Sequence, residues 1–186
     1  MAKQFYYLIS SLPTLQLGGN LPWRSDAFLE YARYHLTPSE WEALASVSLI
    51  PDAEEGVCRL HSRWLAFERN LRNLLVRMRA SRQKREAQEF LRRDLDLFGG
   101  LEAVVQEVAN MNPLQAEEIL DRQRWLFLDQ ETVGHEFDFN SLVAYRLKLS
   151  LLEKRAGIDE ESGNRALDDL RREQLNLEEL PEFIHG

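Results

Sequence analysis

Leu60, Trp64, Phe67, Leu71, Leu74 and Met78 follow one another at intervals of 4, 3, 4, 3 and 4 residues. That spacing holds a single apolar stripe along one face of an α-helix, and such a stripe is buried only by packing against another helix. Around it the breakers are placed with unusual consistency. Pro13, Pro22, Pro38, Pro51, Pro113 and Pro181 all fall between periodic segments or at the first position of a helix, and the stretches between them are free to be helical. The fold class expected is all-α: a helical bundle with a long basic helical arm and a short extended segment at the N-terminus.

Two short helices are expected first, "SDAFLEYARYH" with Ser25 or Asp26 as its cap, then "LTPSEWEALASV". The second has the clearer start: Thr37 can accept from free backbone N–H groups, Pro38 loses nothing at the first helical position, and Glu40 can reach back to complete a capping box. The striped helix follows. If helical through Arg93 it would be about 50 Å long at roughly 1.5 Å per residue, so part of it should project from a domain of this size. Its stripe gives way to "RASRQKREAQE", with Arg82 and Arg85 near seam positions, and apolar residues return at Phe90, Leu91, Leu95, Leu97 and Phe98 before the glycines at 99 and 100. Guanidinium groups resist burial without carboxylate partners, so this tip either meets water or docks on an acidic surface. The arm reads as a helical hairpin or elbow with a polar tip.

"LEAVVQEVANM" and "NPLQAEEILDRQRWLFLD" are further helices, the latter with Asn112 as cap, Pro113 at the first helical position and Gln115 three residues after the cap, a capping-box arrangement. "TVGHEFDF" reads as a turn or short extended piece. In "NSLVAYRLKLSLLEKRAGID", Leu142, Tyr145, Leu149, Leu152 and Ala156 share a face and Val143, Leu147 and Leu151 lie off it. A helix apolar on several sides is a central one. A left-handed Gly157 with an apolar contact from Ile158 would end it, and "DEESGNRALDDLRREQL" would form a last, charged helix. The opening "YYLISSL" is rich in aromatic and branched residues and stops at Pro13; it reads as extended chain against the bundle, with one helical turn as the alternative. Residues 1–186 are expected to form one helical domain, or two lobes, 1–57 and 101–186, joined by the arm 58–98.

With 44% hydrophobic residues the chain can bury a substantial core, and no run approaches the length of a membrane span or a signal peptide. A soluble, unexported protein is expected. Cys58 is the only cysteine, so no internal disulfide forms, which fits a reducing cytoplasm; its plain reading is a small half-buried residue. The net charge of -8 is unevenly spread: Arg59 to Arg93 hold 11 basic and 3 acidic residues, leaving 12 basic and 28 acidic elsewhere. This describes an acidic body with a basic arm. The carboxylates oppose nucleic-acid binding, and Trp64 and Phe67 sit on the packing stripe rather than on a base-stacking surface.

None of His35, His61, His135 and His185 belongs to a metal-ligand pattern. His135 with Glu136, Asp138 and Glu131 is the one acidic cluster around a histidine, and Gly134 interrupts the helix that would align Glu131 with it; a surface loop is the simpler reading. There is no phosphate-cradling loop, nucleophile elbow or cysteine pair. The reading is of a non-enzyme without cofactor or metal.

"FYYLISSLPTL" followed by "GG", together with "SLVAYRLKLSLLEKRAG", resembles a family of uncharacterised bacterial proteins whose genes accompany those for V/A-type ATPase subunits. The resemblance implies a stand-in for the C-type socket of that machine, d-type in eukaryotes, a helical non-catalytic component that seats the central stalk on the membrane rotor ring. The implied partners are other subunits of that ATPase, and the implied location is cytoplasmic, peripheral at the inner membrane face through those partners. Because this chain is shorter than an ordinary C-type component, only part of that socket can correspond. The basic arm, with Arg63, Arg69, Arg77, Arg82 and Arg85, is the candidate docking surface, and its contacts would weaken with salt. The alternative is a helical chaperone or adaptor for an unrelated client. The Pro-Asp-His motif of the redox-enzyme chaperones is missing, since "IPDAEE" supplies only the first two residues.

Overall fold

A computed structural model describes residues 5–93 and 98–157. It contains seven α-helices among those residues and no strand: α1 (Tyr6–Ser11), α2 (Ser25–Arg33), α3 (Pro38–Ala45), α4 (Arg59–Gln83), α5 (Leu101–Val108), α6 (Pro113–Glu131) and α7 (Phe139–Gly157), with one 3-10 turn at Gln88–Phe90. The bundle is all-α, as the periodicity predicts.

Helix α7 is the hub. It packs against α2, α3, α4 and α6, and Leu142, Val143, Leu147, Leu149, Leu151 and Leu152 are all buried around its circumference. Each such side chain contributes roughly 1.5–3 kcal/mol relative to exposure. On α4, Leu60, Trp64, Phe67 and Leu71 of the stripe are buried, while Leu74 and Met78 pack at its margin. Leu65 and Leu75 widen the buried face. The last residues of α4, including Arg82, are exposed, so the seam opens to solvent there.

The opening segment corrects the expectation of extended chain: Tyr6–Ser11 is helical. An isolated strand would leave its N–H and C=O groups without a sheet to pair with, whereas a helical turn satisfies its own. The Phe5 N–H donates to the Phe137 carbonyl at 2.7 Å, and Leu8 is buried in the common core. The long arm is also shorter as a helix than 58–98. It stops at Gln83, Lys84 takes a left-handed φ of 53°, and the Arg85 N–H returns to the Ala80 carbonyl at 2.9 Å. The chain then doubles back. Asn73 clamps it, its Nδ2 donating to the Arg92 carbonyl at 2.8 Å and its Oδ1 accepting from the Arg92 N–H at 2.9 Å. This elbow explains how Asn73 is buried on the side of α4 away from the stripe.

The caps divide into local and distant ones. Thr37 and Glu40 form the complete capping box of α3, and the Asn112 carboxamide accepts from the Gln115 N–H at 2.9 Å. Ser25 does not cap α2. Its N–H instead donates to the Glu153 carboxylate of α7 at 2.6 Å, and its hydroxyl donates to the same group. Gly157 is the last residue of α7 and has no positive φ, so the left-handed ending is not adopted there. Ile158, the charged helix after it, and Leu95 and Leu97 of the arm lie outside the described residues.

Gly56 closes the loop before α4 against that helix's first turn. A Cβ there would stand 2.2 Å from the Ser62 nitrogen and 2.6 Å from the His61 carbonyl carbon, both backbone atoms that cannot swing aside. The adjacent Val57 N–H donates to His61 Nδ1 at 3.1 Å, so the buried imidazole is held neutral and burial lowers its pKa. Gly56→Ala is expected to cost about 1–3 kcal/mol in urea unfolding, because the loop must lift from α4.

Candidate functional site

Helix α6 carries Glu117, Asp121 and Arg124 at spacings of four and three, which puts all three on one face. That face meets Glu68 and Arg72 of α4 and Lys154 of α7. Arg124 donates through Nε to Glu68 at 2.5 Å and through Nη1 to Asp121 at 2.9 Å and Glu117 at 3.1 Å. Arg72 reaches the other oxygen of Glu68 at 3.1 Å, and Lys154 contacts Asp121 at 2.6 Å as well as Glu117. Three carboxylates are thereby matched by three cations. The Glu68 and Asp121 residues are 0% and 1% exposed, so each would cost several kcal/mol if left unpaired. Burial opposes the charge on Arg124, but Glu68, Glu117 and Asp121 outweigh it and raise its pKa above the ordinary value.

Burial likewise acts to raise the Glu117 pKa, and the hydrogen bond and charge of Lys154 with the charge of Arg124 outweigh it, leaving the carboxyl below its usual 4.5. A depressed carboxyl stabilises the fold above its unfolded pKa, and that contribution is lost as pH falls through the folded value. Thermal melts from about pH 6 to about pH 3 should therefore fall in midpoint on the acid side. Glu117→Gln should flatten that slope below the ordinary carboxylate value.

Beside this cluster, between α4, α6 and the returning chain, lies an open groove of about 390 Å³. Arg72 and Arg79 of α4, Arg92 of the return and Arg124 of α6 line it against one carboxylate, Glu117, while Leu75, Val76 and Leu120 add an apolar wall with Phe90. The groove's far side is fixed: besides the Asn73 clamp, Arg92 Nη1 donates to the Pro51 carbonyl at 2.9 Å. Arg79 is exposed and has no ion-pair partner among the described residues.

The five arginines of the expected docking surface do not share a face. At about 100° per residue, Arg63 and Arg69 lie about 120° apart around α4. Arg63 is bonded to Glu131 at 3.1 Å and lies 4.9 Å over the Phe98 ring; Arg69 donates to the Ala53 and Glu54 carbonyls, each at 3.2 Å. Arg82 donates to Asn110 at 2.8 Å, and Arg77 and Arg85 are exposed. None of the five lines the groove, and the arginines that do were not among the expected docking residues. The available signal was the seven-residue interval between Arg72 and Arg79, which returns to the same side of a helix.

The loop around His135 organises the start of α7. His135 Nδ1 lies 2.5 Å from Asp138, whose other oxygen accepts from the Asn140 N–H at 2.8 Å and the Ser141 N–H at 3.3 Å. Burial tends to raise the Asp138 pKa, but the bonds from His135, Asn140 and Ser141 outweigh it. Asn140 Oδ1 in turn accepts from the Leu60 N–H at 3.1 Å, joining α7 to the first turn of α4. The Glu131 carboxylate is taken by Arg63, and among the described residues no group of three His, Cys, Asp or Glu side chains is placed to hold a metal.

Residues 53–174 match the family described as "Protein of unknown function (DUF2764)". The chain belongs to the DUF2764 family. The DUF2764 match takes in α4 to α7, and with them both helical walls of the groove, the clamp and the His135 loop. No curated protein and no solved structure matches the chain.

Proposed function

We propose that this DUF2764 protein is a non-catalytic helical subunit or assembly factor of a bacterial V/A-type rotary ATPase, similar in role to the C-type (eukaryotic d-type) socket between central stalk and rotor ring. The observation that carries the reading is the arginine-lined groove on a braced helical body. A connector needs stiffness and charged faces for its neighbours to engage, and the groove offers both. The resemblance in the two apolar strings supplies the choice of complex. Those strings also meet in space, since Ile9 and Leu12 of the first line one surface cleft with Ala144 and Tyr145 of the second. No helix among the described residues is long and apolar enough to cross a membrane, so attachment at the inner face would run through partners.

The test is recovery of the tagged protein from native membranes under conditions that keep the ATPase intact, with an untagged strain as background. Enrichment of ATPase subunits supports the reading. Their absence overturns it, and reproducible recovery of one unrelated client would favour an adaptor role instead.

A further inference from the structure

We infer that the groove between α4, α6 and the returning chain is the contact site for an acidic protein segment whose carboxylates are flanked by apolar side chains. The inference rests on the reading of this protein as a binding component and not on which complex it joins. The charges in the groove are not equivalent. Arg124 is saturated by Glu68, Asp121 and Glu117, and Glu117 is itself held by Lys154, so the base of the groove is close to neutral. Towards solvent the balance changes. Arg72 keeps one bond to Glu68, Arg92 stands 3.9 Å from the exposed Asp52, and Arg79 has no ion-pair partner among the described residues. A carboxylate entering from outside therefore meets guanidinium groups first, whose planar fork suits it.

The second feature is apolar. Phe90 lines the same groove with Leu75, Val76 and Leu120, yet it is 66% exposed. A partner that brings only charge leaves that ring in water, whereas an amphipathic acidic segment covers it and aims its carboxylates at Arg72, Arg79 and Arg92. Inorganic phosphate fits less well: the groove flanks the C-terminal half of α4 rather than a helix N-terminus, and a bare anion leaves the Phe90 ring uncovered. The geometry is ready in the free protein, because Asn73 and the Pro51 carbonyl hold Arg92 in place. Little ordering cost then remains on that side of the contact.

Fluorescence anisotropy tests this with a labelled peptide of about 15 residues carrying Glu and Leu at helical spacing, its Gln-for-Glu counterpart, and inorganic phosphate as competitor. The wild type should bind the Glu peptide, more weakly as salt rises from about 50 to about 300 mM, and should ignore the Gln peptide. Arg79→Glu and Phe90→Ser, both at exposed positions, should each weaken binding about tenfold with unchanged thermal melts. Arg77→Glu, which lies about 160° around α4 from Arg79 and does not line the groove, should bind as wild type. No binding of the Glu peptide, equal binding of both peptides, an equal loss in Arg77→Glu, or displacement of the peptide by sub-millimolar phosphate would each overturn the assignment. The membrane recovery keeps the two readings apart. If wild type and Arg79→Glu both bring down ATPase subunits while the peptide does not distinguish them, the groove assignment falls and the proposed function stands. If the peptide behaves as expected and no ATPase subunit is recovered, the reverse holds.

Discussion

Arg124→Leu is expected to lower stability by roughly 3–5 kcal/mol, a large share of the roughly 5–15 kcal/mol that keeps a typical domain folded. The loss comes less from the contacts of Arg124 than from what its removal exposes. Glu68 would keep only Arg72, and Asp121 only Lys154, although both carboxylates are sealed from water. One oxygen of Asp121 already lacks a hydrogen-bond partner among the described residues. Pairing the change with Glu68→Leu should reverse part of the loss, since removing both members of a buried pair spares the survivor its desolvation. A double mutant more stable than Arg124→Leu alone, by about 1 kcal/mol or more in urea unfolding, is the expected result. Equal stabilities would mean that Glu68 readily finds water when Arg124 is gone.

Trp64→Ala should be comparably damaging, at about 3–5 kcal/mol. Trp64 is fully buried and begins an aromatic cluster: it stacks 6.1 Å from Phe67, which lies 4.3 Å from Phe127, and Phe98 stands edge-on to both. Alanine would leave a void among rigid rings that cannot collapse to fill it. Trp64→Phe is the informative companion. The indole N–H has no hydrogen-bond partner among the described residues, so phenylalanine forfeits some packing but removes a polar atom that is already a liability. A loss below about 1.5 kcal/mol is expected for it. A phenylalanine variant as unstable as the alanine one would show that the indole's shape, rather than its apolar bulk, holds the cluster.

What the sequence made legible was what acts over a few residues. The stripe from Leu60 to Leu71, the all-round apolar pattern of α7, the Thr37–Glu40 box and the Asn112 cap are each decided within a turn or two, and each is present. Where the chain's behaviour depends on distant partners, local pattern misleads. The polar "RASRQKREAQE" pointed to an elbow, but residues 84–93 contain no glycine or proline to say where α4 ends, and the return is pinned to the distant Asn73 and Pro51. Ser25 has the chemistry of a cap, but a carboxylate 128 residues away takes that role. The basic excess between Arg59 and Arg93 was visible in composition. Which arginines face one another was not, because the groove needs α6, and the pairing of Glu68 with Arg124 spans 56 residues.

Asn73 stands near the middle of a 25-residue helix, a place that its short polar side chain does not favour. Its carboxamide has the same donor and acceptor as a peptide unit, and it presents both to Arg92 much as a neighbouring strand would. Helix α4 thus supplies a single rung of ladder without a sheet. Aspartate, with two acceptors and no donor, would keep the shape of that rung but could not complete it.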